Sequence, residues 1–334
     1  MKIKKLIDNR QIGLLGAIAV LLILAVFLTP SLFQLGTIHL TIRNYSVVGI
    51  LVLGMMAVIL TGGIDLSIGS ELALSGMLTS LLMAEHPEIP VLLLIVIGVA
   101  VGLLCGLING VLVGKLYIQP IIATLATMNI YRGATYFVSG GKWVTSSQYT
   151  DSFAHLSGGQ FGLYNIIWFL LVLSVLMSIF LAYTKYGRRL YAVGSNEKSS
   201  RIAGIKASNI KILAYVIMGG LAGLAGILYS ANYKSFAPNI GIGMEMDVIA
   251  ICVLGGVSIT GGRGVWRSGS AAGTIGGVVT AFIMMTLVSA FLSMLPGMSL
   301  WTNALQGSII IVAVIVNLLT ERIAEKHALY SRKI

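Results

Sequence analysis

The sequence predicts an all-α membrane protein of about ten transmembrane helices, and three observations carry that expectation. Of 334 residues, 57% are hydrophobic and only 10% charged, where roughly 25% charged is usual for soluble chains. Apolar stretches close to twenty residues long recur along the whole chain. The basic residues collect in the short gaps between those stretches. A water-exposed surface needs far more polar side chains, whereas a chain in lipid can turn apolar side chains outward if its backbone amides are paired inside helices. A soluble globule is excluded.

About twenty apolar residues cross about 30 Å of hydrocarbon. Ten stretches qualify, at approximately 12–29, 46–60, 70–84, 91–113, 119–137, 163–183, 212–231, 246–260, 269–292 and 300–319. The first follows Lys2, Lys4, Lys5 and Arg10, is long for a signal-peptide core and has no convincing small-residue cleavage site, so it is expected to stay as a helix. The second, third and eighth are short, and their regions carry the glycine pairs Gly62-Gly63 and Gly261-Gly262, which predicts broken or re-entrant helices there. With ten spans and both termini cytoplasmic, every basic residue except Arg43, Arg132, Lys142 and Lys234 falls on the inner side, in line with the positive-inside rule. The outer connections are then 30–45, 138–162 and 232–245, and the one large inner loop is 184–211. No stretch is long and polar enough for a separate soluble domain, so 1–334 reads as a single polytopic unit.

The net charge of +11 reports this topology and not a nucleic-acid surface. Cys105 and Cys252 lie inside apolar runs, where a thiol behaves as a small hydrophobe. The four histidines are scattered, no CxxC or HExxH occurs, and no GxxxxGK[ST] loop is present. No metal, cofactor or catalytic group is indicated, and ATP, if used, must be bound by another chain. Gly98, Gly102, Gly106, Gly110 and Gly114 recur every four residues, and Gly219, Gly223 and Gly269, Gly273, Gly277 repeat the device. Small-xxx-small spacing lets helix backbones approach closely in lipid. A short echo relates LTGGIDLSIGS (60–70) to ITGGRGVWRSGS (259–270).

Asp65 is the most informative acid, because a carboxylate beside apolar spans is costly to bury. With Ser67 it can cap the third helix, with Glu71 in the first turn, or it can belong to a broken-helix element near a permeation path. Asn109, Thr124, Thr127, Asn129, Ser289, Asn303 and Gln306 are uncharged hydrogen-bonding groups within spans, suited to neutral polyols and equally to helix-helix contacts. Tyr131, Tyr136, Trp143 and Trp301 have faces on which a sugar can stack or, alternatively, form an interfacial belt. In the inner loop, Asn196 with Ser195 can cap a short helix over 197–203 that begins with Glu197, and Gly204 can end it. A rigid exposed helix between spans is a handle for a soluble partner.

GGIDLSIGS (62–70), PIIATLATMNIYRG (120–133), YGRRLYAVGSNEKSSRIAGIK (186–206) and VLGGVSITGGRG (253–264), in that order, resemble the ribose-type, simple-sugar permeases of bacterial ABC importers. GGKWV (140–144) with FAPN and GMEMDVIAICVLGG (236–256) further resembles the autoinducer-2 and rhamnose permeases of that group. The resemblance covers about residues 45 to 316. It implies a multi-pass subunit of the bacterial inner membrane, paired with a second identical or different permease copy, two cytoplasmic ATPases and an extracytoplasmic sugar-binding protein. It also implies that the inner loop, through Gly194, Asn196, Glu197, Arg201 and Gly204, docks on the ATPase. Ser199 and Ser200 stand where alanines are common in that family. A branched-chain amino acid permease shares the architecture and remains the alternative. An ion-coupled secondary transporter would have to use Asp65 and Asp247, and a membrane-embedded enzyme finds no nucleophile-base pair.

The basic-residue pattern generates one test. Single cysteines at Lys198 and Gln148, in a background lacking Cys105 and Cys252, are expected to be labelled from the inner and outer sides respectively. Labelling of Lys198→Cys from outside intact cells would overturn the topology.

Overall fold

A computed structural model describes residues 9–160, 162–262 and 271–297, with positions 301, 304, 307 and 308. The long helices are α1 (Asn9–Leu28), α2 (Leu35–Leu60), α3 (Ile68–Glu85), α4 (Val91–Gly114) and α5 (Pro120–Ser139). After a short helix, α6 (Asp151–Ala154), and a two-residue antiparallel pair, β1 (Gly159–Gln160) and β2 (Leu163–Tyr164), come α7 (Asn165–Tyr183), α8 (Lys185–Ser195) and α9 (Glu197–Ile202). The chain continues through α10 (Ala207–Tyr233), α11 (Met244–Leu254) and α12 (Ala271–Met294). Among the described residues, α2, α4, α7, α10 and Ile275–Met294 of α12 are long and apolar enough to cross a membrane. The all-α membrane class is therefore observed. The stretch expected at 300–319 lies, apart from four positions, outside the described residues.

Two helices form the centre. In α2 every residue from 46 to 60 is buried, as expected of a helix that is apolar on all sides and enclosed by others. α10 packs along α4, α3 and α2. The glycine row on α4 explains the closest of these contacts. A Cβ on Gly102 would collide with the Gly219 carbonyl, one on Gly106 with the Tyr215 carbonyl, and one on Gly223 with the Gly98 carbonyl. Backbone thus meets backbone, where dispersion between closely apposed atoms replaces the missing hydrophobic drive. The opposite face of α4 exposes Leu92, Val96, Leu104 and Ile108, and α7 exposes Val172, Val175 and Leu176. These outward apolar faces are the lipid-contacting surface that the composition requires.

The structure corrects three expected boundaries. The second span is not short: α2 extends back to Leu35, through most of the expected outer connection 30–45. Its polar residues lower the local hydropathy but do not break a helix. Arg43 donates to the Asn232 carbonyl (3.0 Å) and lies over the Tyr164 ring, and Asn44 accepts from Asn232 (3.3 Å). The eighth stretch, expected at 246–260, is helical for only eleven residues, about 16 Å at 1.5 Å per residue, because Gly255 and Gly256 end it and Gly256 has φ +91°. In the inner loop, α8 was not anticipated.

Two non-helical segments pack against the helices, with most of 61–67 and the 236–238 stretch buried. Residues 61–67 link α2 to α3, with the Ile64 carbonyl accepting from Tyr215 (3.2 Å). Residues 235–243 run beside α3: the fully buried Phe236 fills the space opposite Gly76, and Gly241 lies against Gly69. Arg132 on α5 donates to the carbonyls of Pro238 (2.6 Å) and Ile240 (2.7 Å), groups that a helix would have satisfied internally. This accounts for a basic residue inside a span.

The glycine contacts predict that Gly102→Val, which forces side-chain atoms into the α10 backbone, destabilises the protein by about 1–3 kcal/mol or more. Gly133→Ala, which meets nothing within 4 Å, should be neutral. Thermal unfolding of both variants in detergent distinguishes them. An unchanged melting temperature for Gly102→Val would refute the close α4-α10 contact.

Candidate functional site

Two places concentrate polar groups: a cluster inside the bundle and a handle built on α8 and α9. The cluster forms where the 61–67 segment turns into α3. Asp65 Oδ1 accepts from the Ser67 amide (2.9 Å) and hydroxyl (2.6 Å), so the turn is closed by its own side chain. Glu71, one turn into α3, has Oε1 at 3.2 Å from the Ser67 hydroxyl. Asn109 of α4 places Nδ2 at 2.7 Å from Ser67 Oγ, 2.9 Å from Glu71 Oε1 and 3.3 Å from Asp65 Oδ2. All four side chains are fully buried. Tyr131 of α5 leans on the cluster and donates to the Cys105 carbonyl at 3.0 Å.

The handle is a chain of helices with single-residue joints. Thr184 ends α7 and caps α8, its hydroxyl accepting from the Gly187 amide (3.0 Å). Asn196 ends α8 and caps α9, its Oδ1 accepting from the Ser199 amide (2.9 Å). At the far end Gly204, at φ +79°, donates to the Arg201 carbonyl (3.0 Å) while Ile205 donates to Ser200 (3.0 Å), the two-bond closure that a left-handed residue permits. Glu197 is paired with Arg201 (2.6 Å) and with Lys211 of α10 (2.7 Å). The hydrogen bond from Lys211, aided by Arg201, holds the Glu197 carboxyl below its usual range. Arg201 also reaches the Tyr117 hydroxyl (3.3 Å) between α4 and α5.

The handle meets the bundle at a junction of glycines. A Cβ on Gly194 would collide with the Leu60 carbonyl and would lie 2.5 Å from the Gly262 amide. The Gly262 amide donates to Leu60 (2.9 Å), and Ser195 donates to the Gly262 carbonyl (3.1 Å). Gly261, at φ +85°, abuts Gly62 and the Gly194 carbonyl. The two halves of the sequence echo, LTGG and ITGG, therefore touch each other and the end of α8. Next to this junction, Thr61, Gly62, Gly63, Val113, Gln119 and Lys211 are among the residues lining a cavity of about 170 Å³.

Of the expected path residues, Asp65, Ser67 and Asn109 converge in the cluster. Thr124 lies at its margin, 3.5 Å from the Ile64 carbonyl, and mainly bonds its own helix at Pro120 (2.8 Å). Asn129 is apart from it, exposed and bonded to Leu125 of its own helix. Asn303 and Gln306 lie outside the described residues. Thr127 also bonds back into α5, and Ser289 is buried in α12. Tyr136, Trp143 and Trp301 are exposed, whereas Tyr131 is buried in the cluster. Sequence reasoning gave Glu71 only a helix-dipole role and assigned none to Lys211 or Tyr215. Those side chains act across helices, and no local pattern announces such partners.

A family profile described as the permease component of the branched-chain amino acid transport system matches residues 37–314. The ribose import permease protein of Bacillus subtilis is 36% identical over 309 residues, 92% of this chain and 92% of that protein. The Escherichia coli K12 ribose import permease is 33% identical over 90% of this chain and 91% of its own length. The autoinducer 2 import system permease protein of Salmonella typhi is 33% identical over 91% of this chain and 84% of that protein. No solved structure matches. With the profile spanning most of the sequence and relatives aligned nearly end to end, the chain belongs to this family of transport-system permease components.

Proposed function

We propose that this chain is the membrane-spanning permease subunit of an ATP-driven importer in the bacterial inner membrane, moving a monosaccharide or a similar small polyol. It has ten spans and cytoplasmic termini, and the segments 61–67 and 244–262 act as broken or re-entrant elements. A second permease copy, two cytoplasmic ATPases and an extracytoplasmic binding protein complete the machine, with ATP bound on the ATPases. The α8-α9 handle docks on the ATPase through the surface that includes Asn196, Glu197, Arg201 and Gly204.

One observation supports this reading above the others. The handle has no flexible joint to α7 and touches both TGG turns through Gly194, Gly261 and Gly262. A push on α9 is therefore passed through α8 to the end of α2 at Leu60 and to Gly262 beyond α11, largely through backbone contacts that side-chain rearrangement cannot absorb. The sugar cargo is supported by the ribose relatives and by the uncharged hydrogen-bonding groups of the spans. The branched-chain amino acid alternative rests on the description of the family profile. Among the described residues, no cation pairs with Asp65 or Glu71, so the cluster offers no matched charge pair to a zwitterion. Uptake of labelled ribose-class sugars against labelled leucine, with the cognate binding protein, separates the two.

The handle generates a graded prediction. Gly204→Val strains a left-handed position by roughly 1 kcal/mol and redirects the chain into α10, so it should abolish uptake and ATPase co-purification while membrane insertion persists. Gly194→Val, which forces α8 off the junction, should retain the ATPase and lose uptake. Glu197→Ala removes two ion pairs, to Arg201 and Lys211, from a carboxylate that is a third exposed and should only weaken uptake, since solvent screens such pairs. Normal uptake with Gly194→Val and Gly204→Val at matched membrane levels would remove the handle from the coupling role.

A further inference from the structure

The cluster around Asp65 contains two fully buried carboxylates that share donors, and its hydrogen-bond arithmetic does not close if both are ionised. Asp65 as an anion is well served. Its Oδ1 receives the Ser67 amide and hydroxyl, and its Oδ2 faces the Asn109 amide. Glu71 is not. Its Oε1 competes with Asp65 for the single Ser67 hydroxyl proton, and the two hydrogens of the Asn109 amide face three acceptors, Glu71 Oε1, Ser67 Oγ and Asp65 Oδ2. Its Oε2 is buried with no hydrogen-bond partner. The groups facing the pair are Asn109 and Cys105 on α4, Tyr131 on α5 and Tyr215 on α10, none of them a cation. Arg132, on the adjoining helix, is spent on the Pro238 and Ile240 carbonyls. Two like charges this close, without a counter-ion and away from water, repel strongly and lose their hydration.

We infer that the Asp65 and Glu71 pair is a proton-binding site holding one proton at neutral pH, with Glu71 as the acid and Asp65 as the anion. A proton on Glu71 Oε1 donates to Ser67 Oγ, whose own proton goes to Asp65 Oδ1, the shortest contact of the set at 2.6 Å. Glu71 Oε2 then becomes a neutral carbonyl oxygen, which tolerates burial without a donor far better than a carboxylate oxygen does. A bound sodium ion fits less well. The centre of the cluster is occupied by the Asn109 Nδ2 donor, in contact with three acceptors, where a cation would require an oxygen ligand. The proton converts a repulsive pair into a clasp tying the first turn of α3 to the 61–67 segment and to α4. Glu71 is a positioning residue in this arrangement.

The test uses the full chain in detergent at neutral pH. Infrared spectra of wild type and Glu71→Gln should differ by the loss of one protonated-carboxyl carbonyl band that shifts in heavy water, and the control Glu88→Gln, on an exposed loop, should keep that band. Because Gln reproduces the shape and donor of a protonated Glu, Glu71→Gln should melt as the wild type does, whereas Asp65→Asn should melt lower. Absence of the band in wild type, or its persistence in Glu71→Gln, overturns the inference. So does a folded Asp65→Asn beside an unfolded Glu71→Gln, which would reverse acid and anion, or loss of the band on adding sodium chloride, which would make the occupant a cation.

Discussion

Every peptide group shielded from water must find a partner within the protein, and the two non-helical segments packed against the helices are where this constraint is hardest to meet. A helix satisfies its own amides, but 61–67 and 235–243 leave carbonyls with no partner in a helical ladder. The chain solves this with long side chains from neighbouring helices. Tyr215 serves Ile64, and Arg132 serves Pro238 and Ile240. Arg132 serves both carbonyls from a single nitrogen, Nη1, at the end of a side chain long enough to reach across from α5. Remove these donors and the broken segments have no reason to stay inside the bundle.

Close helix contact is the second requirement, because Tyr215 reaches Ile64 only if α10 lies nearly against α4 and α3. The glycine rows provide this. Gly102 and Gly106 on α4 face Gly219 and Tyr215 on α10, while Gly226 on α10 faces Leu72 and Gly76 on α3. Ser75 then donates to the carbonyls of Gly98 (2.8 Å) and Gly223 (3.0 Å), bridging all three helices at one level. The same glycines that lack side chains to pack therefore create the distances at which polar side chains become useful.

Much of this was legible in the sequence because the signals were periodic or local. The apolar stretches announced the long helices, the four-residue glycine period announced the α4 contact face, and Asn196 with Gly204 announced both ends of α9. The boundary of α2 was not legible, since hydropathy falls at Thr37, His39, Thr41 and Arg43 while the helix continues. Polarity there reflects contacts with Asn232 and Tyr164, which lie far away in sequence. The partnership of Asp65 with Glu71 and Asn109 was hidden for the same reason. Asp65, Ser67 and Glu71 suggest a cap when read along the chain, and only the crossing of α3 with α4 brings Asn109 to them.

The glycine junction shows how an exposed segment between long helices can bear on buried ones. A contact made by long side chains yields when pushed, because rotamers change at little cost. At the junction Gly194, Gly261 and Gly262 bring backbone against backbone, with the short Ser195 hydroxyl bonded to the Gly262 carbonyl, and two of these glycines occupy left-handed conformations that other residues rarely adopt. Displacement of α8 must therefore carry the TGG turns with it. One of those turns continues directly into 64–67, whose shape is fixed by Asp65 and Ser67, and so into the first turn of α3. The surface ion pairs of Glu197 are screened by solvent at such exposure and serve mainly to hold α9 against α10 and the Tyr117 turn. Stiffness in this handle comes from backbone packing and helix caps, and its charges set only how the handle rests on the bundle.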